Sequence, residues 1–243
     1  MYKVNDVEIN YIDYGNKKGK TIVFLHGWGQ NIEMMKILSD PLSREYHTIV
    51  IDLPGHGSSS EPTYPWNHLD FVNAIKALLD SLKVKNPTLV GHSFGGELSI
   101  LYASLYDVDK LILLDSPFKP IKKINLKTYL LKFAKKIPGI NKLEGWAKKH
   151  IGSAEYRSAS ETMRKILVNS VTANLEEEAK KIKAETIIIW GTHDDAVPFE
   201  HGIDLEGLIP GSALVPYEGC SHYAYYERAG QTVNIIRSLV GGK

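Results

Sequence analysis

The sequence predicts an α/β fold in which helices cover both faces of a mostly parallel sheet. Its short strand-like runs are apolar throughout instead of alternating, which is typical of strands buried on both faces. Amphipathic segments of helical length separate these runs, and this alternation favours parallel strands joined by helices. The strand-like runs are 21–27, 47–55, 87–93, 109–116, 185–191 and 212–219. The helical segments are 31–43, 67–82, 94–106, 199–209 and 224–240.

The amino-terminal residues and one long segment depart from this alternation. Residues 2–5 and 7–14 are expected to form an antiparallel hairpin at the sheet edge. Residues 117–182 contain no convincing strand, and we interpret them as a helical cap inserted into a core formed by 1–116 and 183–243. Within the insertion, residues 126–137 place apolar side chains on one helical face, and a second helical block spans about 161–181.

The composition is that of one large globular domain, or of a domain with an insertion. The chain has 243 residues, 43% of them hydrophobic, which is enough to bury a full core. Lys and Arg number 29 against 28 Asp and Glu, so net charge gives no indication of nucleic-acid binding. Cys220 is the single cysteine, which excludes an intrachain disulfide. Neither a signal-peptide pattern nor a run of membrane-spanning length is found, so we expect a soluble, cytoplasmic protein.

Residues 91–95, GHSFG, match the pattern G-x-S-x-G between a predicted strand and a predicted helix, the context in which this pattern indicates a nucleophile. The pattern ends a predicted strand and begins a predicted helix, so a sharp turn at Ser93 would project its hydroxyl above the sheet. Gly91 and Gly95 remove the side chains that would collide at such a turn. A glycine-rich turn with a chance serine is the alternative, but the strand and the helix on either side favour a nucleophile.

Five motifs, in this order, resemble those of the compact, capped, serine-dependent members of the α/β-hydrolase superfamily. They are HGWG at 26–29, DLPGHGSS at 52–59, GHSFGG at 91–96, WGTHDDAVP at 190–198 and GCSHYAYYE at 219–227. The resemblance extends over nearly the whole chain, and five ordered motifs are far more specific than one. It implies the α/β-hydrolase fold and a carboxylesterase type of activity without a cofactor.

The resemblance also implies a base and an acid for Ser93. The base lies on the loop after the last strand, where His222 fits, and the order Ser, acid, His is the one this fold uses. Counted from Gly191, the family's aspartate falls at Asp194, which would hold the tautomer of His222. Asp195 and Asp115 remain as alternative acids, because the first is one residue away and the second ends a predicted strand at the same sheet edge.

The stretch His193–Asp195 could also indicate a metal site. Consecutive residues seldom present ligands to one ion, and the sequence contains no recognised metal-binding motif. We therefore expect neither a metal nor another cofactor.

Two backbone N–H groups are expected to form an oxyanion hole. The one from Phe94 follows the nucleophile, and the resemblance assigns the other to Trp28. Apolar side chains near these groups and on the cap would line the substrate pocket. The candidates are Trp28, Phe94, Phe118, Tyr129 and Tyr223.

These residues predict a serine hydrolase that cleaves carboxylic esters through an acyl-enzyme, with thioesters and lactones open to the same chemistry. A C–C bond hydrolase is a neighbouring hypothesis, although HGWGQ lacks the glycine-proline extension typical of that branch. A haloperoxidase-like enzyme of the same fold and a receptor that retains the triad are further alternatives. A serine at position 93 argues against relatives with an aspartate nucleophile.

The predicted cap carries a concentrated positive charge. Residues 117–150 hold ten lysines and one acid, Glu144. A solvated lysine face is one interpretation, and contact with an anionic carrier or lipid that bears the ester is the other. If the second holds, added salt will weaken hydrolysis of long-chain or carrier-linked esters and leave small neutral esters unaffected. Equal salt responses in rate assays of both ester types would contradict it.

Overall fold

The computed structural model describes residues 1–120 and 159–241. The expected helix over 126–137 and Tyr129 lie outside the described residues. So does every lysine of 117–150 except Lys119, whereas Lys165, Lys180 and Lys181 of the predicted cap are described. The remaining cap residues that the structure describes form helices and no strand, at Glu161–Val171 and Glu176–Ala179.

The strands confirm the predicted α/β sheet closely. Within the described residues, a two-stranded sheet pairs β1 with β2, and a seven-stranded sheet has the order β3-β5-β4-β6-β7-β8-β9. All neighbours in the larger sheet are parallel except β3, which runs antiparallel to β5 at one edge. The strands are β1 (Tyr2–Val4), β2 (Val7–Ile9), β3 (Tyr11–Gly15), β4 (Thr21–Leu25), β5 (His47–Ile51), β6 (Thr88–His92), β7 (Lys110–Leu114), β8 (Glu185–Gly191) and β9 (Ala213–Tyr217).

The helices lie close to their predicted positions, with one difference. The segment 224–240 is divided at Arg228, whose backbone leaves the helical region and whose side chain donates to the Glu218 carbonyl oxygen. None of the described helices is both long and apolar enough to cross a membrane. The helices are α1 (Ile32–Leu42), α2 (His68–Ser81), α3 (Phe94–Leu105), α4 (Glu161–Val171), α5 (Glu176–Ala179), α6 (Glu200–Leu208), α7 (Ala224–Glu227) and α8 (Ala229–Gly241).

The expected hairpin over 2–5 and 7–14 is only partly correct. Residues 2–4 and 7–9 pair with each other, but residues 11–15 form β3 and pair with β5 in the main sheet. The Asn10 side chain donates to Asp52, just beyond β5, at 2.8 Å. This contact across 42 residues joins the chain before β3 to the main sheet, which a local pattern does not reveal.

Two apolar cores explain why the strand runs do not alternate. Successive residues point to opposite faces of the sheet, so Val23 joins one core and Phe24 the other. The first core packs against α2 and α3, and the second packs against α1 and α8. Because both of their faces are buried, the central strands β4 to β8 are mostly apolar along their length, and the polar residues gather where the parallel strands end.

Candidate active site

Ser93 lies at the sharp turn between β6 and α3. Its backbone angles are φ 52° and ψ −115°, a conformation that residues other than glycine rarely adopt. Its N–H donates to the carbonyl oxygen of Leu114 at 3.0 Å, which ties the turn to the neighbouring strand β7. The residue is 2% exposed. The local geometry is that of the nucleophile elbow that the sequence pattern predicts.

The glycines around Ser93 are required by close backbone contacts. A Cβ on Gly91 would lie 2.4 Å from the Ser99 hydroxyl oxygen, and one on Gly95 would lie 2.3 Å from the Leu25 carbonyl oxygen. Both separations are too short for real Cβ atoms. Glycine at position 91 therefore lets α3 pack directly on β6, and glycine at position 95 lets the start of α3 pack on the end of β4.

His222 and Asp194 form a buried hydrogen-bonded pair. His222 Nδ1 lies 2.7 Å from Asp194 Oδ2, and both side chains are almost completely buried. The other carboxylate oxygen accepts the backbone N–H groups of Ala196 at 2.8 Å and Val197 at 2.9 Å. Because an ionised carboxylate can only accept a hydrogen bond, Nδ1 of His222 carries the hydrogen of this contact.

The neighbours of Asp194 in the acid loop point elsewhere. His193 and Asp195 are exposed, whereas Asp194 is 8% exposed. A shift of one residue in this tight loop changes the direction of the side chain completely. Of the three acid candidates from the sequence, the structure therefore places Asp194 against His222.

Asp115, the third candidate, holds the start of the acid loop. It is fully buried at the end of β7, and its Oδ1 accepts the backbone N–H of Gly191 at 2.8 Å. Burial, together with the nearby charge of Asp194, raises the pKa of Asp115 well above its usual range. A neutral acid at this position can orient the loop without adding a second negative charge beside Asp194.

His92 connects the elbow to the histidine loop. Its Nε2 donates to the backbone carbonyl oxygen of His222 at 2.9 Å, and the two ring centroids are 5.0 Å apart. Burial, and then the charge of His222, lowers the pKa of His92 well below its usual value, so the ring is neutral. Because His92 directly precedes Ser93, this bond sets the position of His222 relative to the elbow.

The loop after β4 is a closed turn beside α3. Gln30 N–H donates to the Gly27 carbonyl oxygen at 3.2 Å, and its side-chain oxygen accepts the Gly27 N–H at 3.1 Å. Gly29 has φ 69°, which the turn requires. The ring of Trp28 lies 5.4 Å from that of Phe94. The residues that carry the two candidate oxyanion donors, one in the loop after β4 and one at the start of α3, are therefore neighbours.

Two further histidines near this site support loops. His26 Nδ1 donates to the Gly27 carbonyl oxygen at 2.7 Å, and its Nε2 accepts the Leu53 N–H at 3.0 Å. His56 Nδ1 donates to the carbonyl oxygen of Pro54 at 3.1 Å, and burial lowers the pKa of His56 to about 3. Both rings therefore form hydrogen bonds with the backbone of nearby loops.

Of the other pocket candidates, the two that the structure describes, Phe118 and Tyr223, are buried. Phe118 is 1% exposed and packs edge-on against His201, with ring centroids 5.8 Å apart. Tyr223 lies with its ring centroid 5.5 Å from that of His92 and 5.7 Å from that of His222. Across the described residues, no group of three or more His, Cys, Asp or Glu side chains is placed to hold a metal ion.

One cluster near the elbow has no counterpart among the residues singled out from the sequence. Glu97, in the first turn of α3, contacts His68 at 2.7 Å and Ser170 at 2.7 Å. The partners lie 29 and 73 residues away and belong to no motif. Glu97 is the one charged residue of α3, and this is the signal in the sequence that could have indicated the cluster.

Gly191 allows the acid and histidine loops to approach each other. A Cβ there would lie 2.2 Å from the Ser221 carbonyl oxygen and 2.4 Å from that of Cys220. We expect Gly191→Ala to separate the loops, lengthen the contact between Asp194 and His222, and lower the melting temperature.

Gly207 in α6 provides the matched control, because a Cβ there meets nothing within 4 Å. Gly207→Ala should leave the free energy of unfolding unchanged or raise it by about 0.5–1 kcal/mol, because alanine has a higher helix propensity than glycine. Thermal unfolding and the NMR signal of the His222 Nδ1 proton measure both effects. Equal behaviour of the two variants would contradict the close approach of the loops.

Comparison with known proteins agrees with this fold. The model of the alpha/beta hydrolase family matches residues 22–235. AB hydrolase superfamily protein YisY of Bacillus subtilis (strain 168) is 28% identical over 242 residues, covering 90% of each chain. The 2-hydroxy-6-oxononadienedioate/2-hydroxy-6-oxononatrienedioate hydrolase 2 of Pseudomonas putida is 27% identical over 256 residues, covering 92% of this chain and 88% of its own.

Solved structures show the same architecture. A bacterial membrane phospholipase A has a TM-score of 0.83 at 24% identity, covering 99% of this chain and 84% of its own. The esterase EaEST from Exiguobacterium antarcticum has a TM-score of 0.81 at 23% identity, covering 97% and 96%. At such identities the likeness concerns the fold. The family model, however, spans most of the chain, and the chain belongs to the alpha/beta hydrolase family.

Proposed function

We propose that this α/β hydrolase cleaves carboxylic esters through an acyl-enzyme formed on Ser93, with His222 as base and Asp194 as the acid that orients it. The observation that carries the proposal is the buried contact of 2.7 Å between His222 Nδ1 and Asp194 Oδ2. It leaves Nε2 as the basic nitrogen, on a loop that His92 bonds to the elbow of Ser93. Thioesters and lactones are open to the same chemistry.

The reaction proceeds in two halves. His222 Nε2 takes the proton of the Ser93 hydroxyl as the oxygen attacks the ester carbonyl. The tetrahedral intermediate collapses, the alkoxide leaves with the proton from His222, and the acyl group remains on Ser93. Water then attacks with His222 as base, and the acid is released. Asp194 stabilises the imidazolium of both halves.

The negative oxygen of each intermediate is stabilised by the backbone N–H groups of Phe94 and Trp28. Phe94 is the first residue of α3, so its N–H has no acceptor within the helix and lies at the positive end of the helix dipole. The packing of Gly95 against the backbone of Leu25 and His26 brings this helix end beside the loop of Trp28. The Trp28 and Phe94 side chains form part of the acyl pocket, with Phe118, Tyr129 and Tyr223 as further candidates.

The insertion over 117–182 acts as a cap in this proposal. Its described helix α4 lies beside the loops at the carboxyl edge of the sheet. Met163 occupies the space next to Gly55, where a Cβ would lie 2.4 Å from its sulfur, and Ser170 bonds to Glu97 of α3. These contacts support the proposal that the insertion covers the active site. The same proposal includes contact between the lysine-rich residues 117–150 and an anionic carrier or lipid that bears the ester.

Cleavage of a C–C bond is the second candidate function. Several relatives are named as hydrolases of 2-hydroxy-6-oxononadienedioate, a compound whose name contains no ester. The loop sequence HGWGQ lacks the extension expected of that branch, which favours the ester. Side-by-side assays with this dienedioate and with p-nitrophenyl esters distinguish the two functions. A C–C bond hydrolase should turn over the dienedioate faster, and an esterase should turn over the p-nitrophenyl esters faster.

The first experiment measures turnover of p-nitrophenyl acetate and butyrate by the wild type and by Ser93→Ala. We expect hydrolysis and covalent labelling by a fluorophosphonate in the wild type, and loss of both in the variant. A wild type that neither turns over nor becomes labelled would contradict the enzyme and favour a ligand receptor with the hydrolase fold. Bromination assays on the same preparation test the haloperoxidase-like alternative.

The acid is tested by exchanging each neighbouring carboxylate for an amide. Asp194→Asn should lower kcat by a factor on the order of 10³–10⁴, because an amide cannot hold the productive tautomer of His222. Asp195→Asn is the matched control and should be mild, because that side chain is exposed. The opposite result in steady-state kinetics would move the acid by one residue and leave the rest of the mechanism intact.

A further inference from the structure

A second acid–base pair lies directly behind the elbow. His68, the first residue of α2, places Nε2 at 2.7 Å from Glu97 Oε2. The side chains are 12% and 5% exposed, so solvent screens neither well. Ser170 of α4 donates to the same oxygen at 2.7 Å. The pair is therefore enclosed between α2, α3 and α4.

A lone negative charge on Glu97 would be unfavourable for the proposed oxyanion. Glu97 lies in the first turn of α3, and its backbone N–H donates to the Ser93 carbonyl oxygen at 3.0 Å. The N-terminal end of a helix carries a partial positive charge, which in α3 points toward the proposed oxyanion. An unpaired carboxylate one turn away would cancel much of this potential, because charges interact strongly where water is excluded.

We propose that His68 is a positioning residue that shares one proton with Glu97, so that the pair carries no net charge and the N-terminus of α3 keeps its positive potential for the oxyanion. The inference rests on the proposed ester hydrolysis and extends it to residues outside the triad. Two arrangements give the same net charge: an imidazolium beside a carboxylate, and a neutral ring beside a carboxylic acid.

The surroundings of the pair support this role. Burial raises the pKa of Glu97, opposed by its bonds to His68 and Ser170, which favours retention of the shared proton. The His68 ring also packs edge-on against Phe94, with centroids 5.8 Å apart, next to the proposed oxyanion donor. A buried pair of this kind contributes little to stability compared with apolar packing, so its placement beside the elbow points to a contribution to the reaction.

The test removes the cation and then the anion. His68→Gln keeps a hydrogen-bond donor but has no titratable group. We expect kcat for p-nitrophenyl butyrate to fall about tenfold with little change in KM. The loss is smaller than that from a lost oxyanion donor, because the uncompensated charge lies one helical turn from the oxyanion. The double variant His68→Gln, Glu97→Gln removes both charges and should recover most of the lost rate. His68→Lys keeps a cation and should lose less than His68→Gln.

A matched pair at the other end of the sheet provides the control. His47, the first residue of β5, contacts Asp13 of β3, a carboxylate that Lys17 also contacts, far from the carboxyl edge that bears Ser93. His47→Gln should leave kcat unchanged. Thermal unfolding verifies that each variant is folded, and His68→Asn replaces His68→Gln in both variants if the latter does not fold.

The outcomes separate this inference from the proposed function. A wild type that shows no turnover and no fluorophosphonate labelling would overturn both. With an active wild type, the inference fails if His68→Gln retains the full kcat, or if the double variant is no faster than His68→Gln. Recovery in the double variant supports it, because a merely structural contact would be lost further when its second partner is changed.

Discussion

The left-handed turn at Ser93 is the constraint on which the rest of the candidate site depends. Such a conformation costs about 1–3 kcal/mol for a residue with a Cβ, and it persists because packing leaves no alternative. The Ser93 N–H is held by β7, and Gly95 lies against the backbone at the end of β4. The same contacts that impose the strained turn also place the start of α3 beside the loop of Trp28. Strain and the proposed oxyanion hole therefore have one structural cause.

Neutral buried groups hold the loops that carry His222 and Asp194. His92 bonds the elbow to the backbone of His222, and Asp115 bonds the end of β7 to the first residue of the acid loop. Burial shifts the pKa of each toward its uncharged form. Extra charges here would compete with Asp194 for His222 in a region of low dielectric. In the proposal above, Glu97 likewise adds no net charge near Ser93, because it shares one proton with His68.

The fold could be predicted from the sequence wherever local pattern and tertiary environment agree. Strands buried on both faces are apolar throughout, and this marked the five central strands from β4 to β8 within a few residues. The same pattern also located β9, although this edge strand is partly exposed. The pairing of β3 was missed, because an edge strand is chosen by contacts such as Asn10 with Asp52, which are distant in sequence. The break at Arg228 was missed for a similar reason, since its side chain bonds to the loop after β9.

For the site, the sequence by itself determined the chemistry that each loop can offer. The pattern around Ser93 specifies a turn through its glycines, and the loops after β8 and β9 offer the acid candidates and His222. The tertiary structure decided which of these groups meet. Asp194 contacts His222 while Asp195 faces solvent, and His68 reaches Glu97 across 29 residues. The reason is physical: a local pattern sets the backbone conformation of a loop, whereas the partner of a buried polar atom depends on which loops the whole sheet brings together.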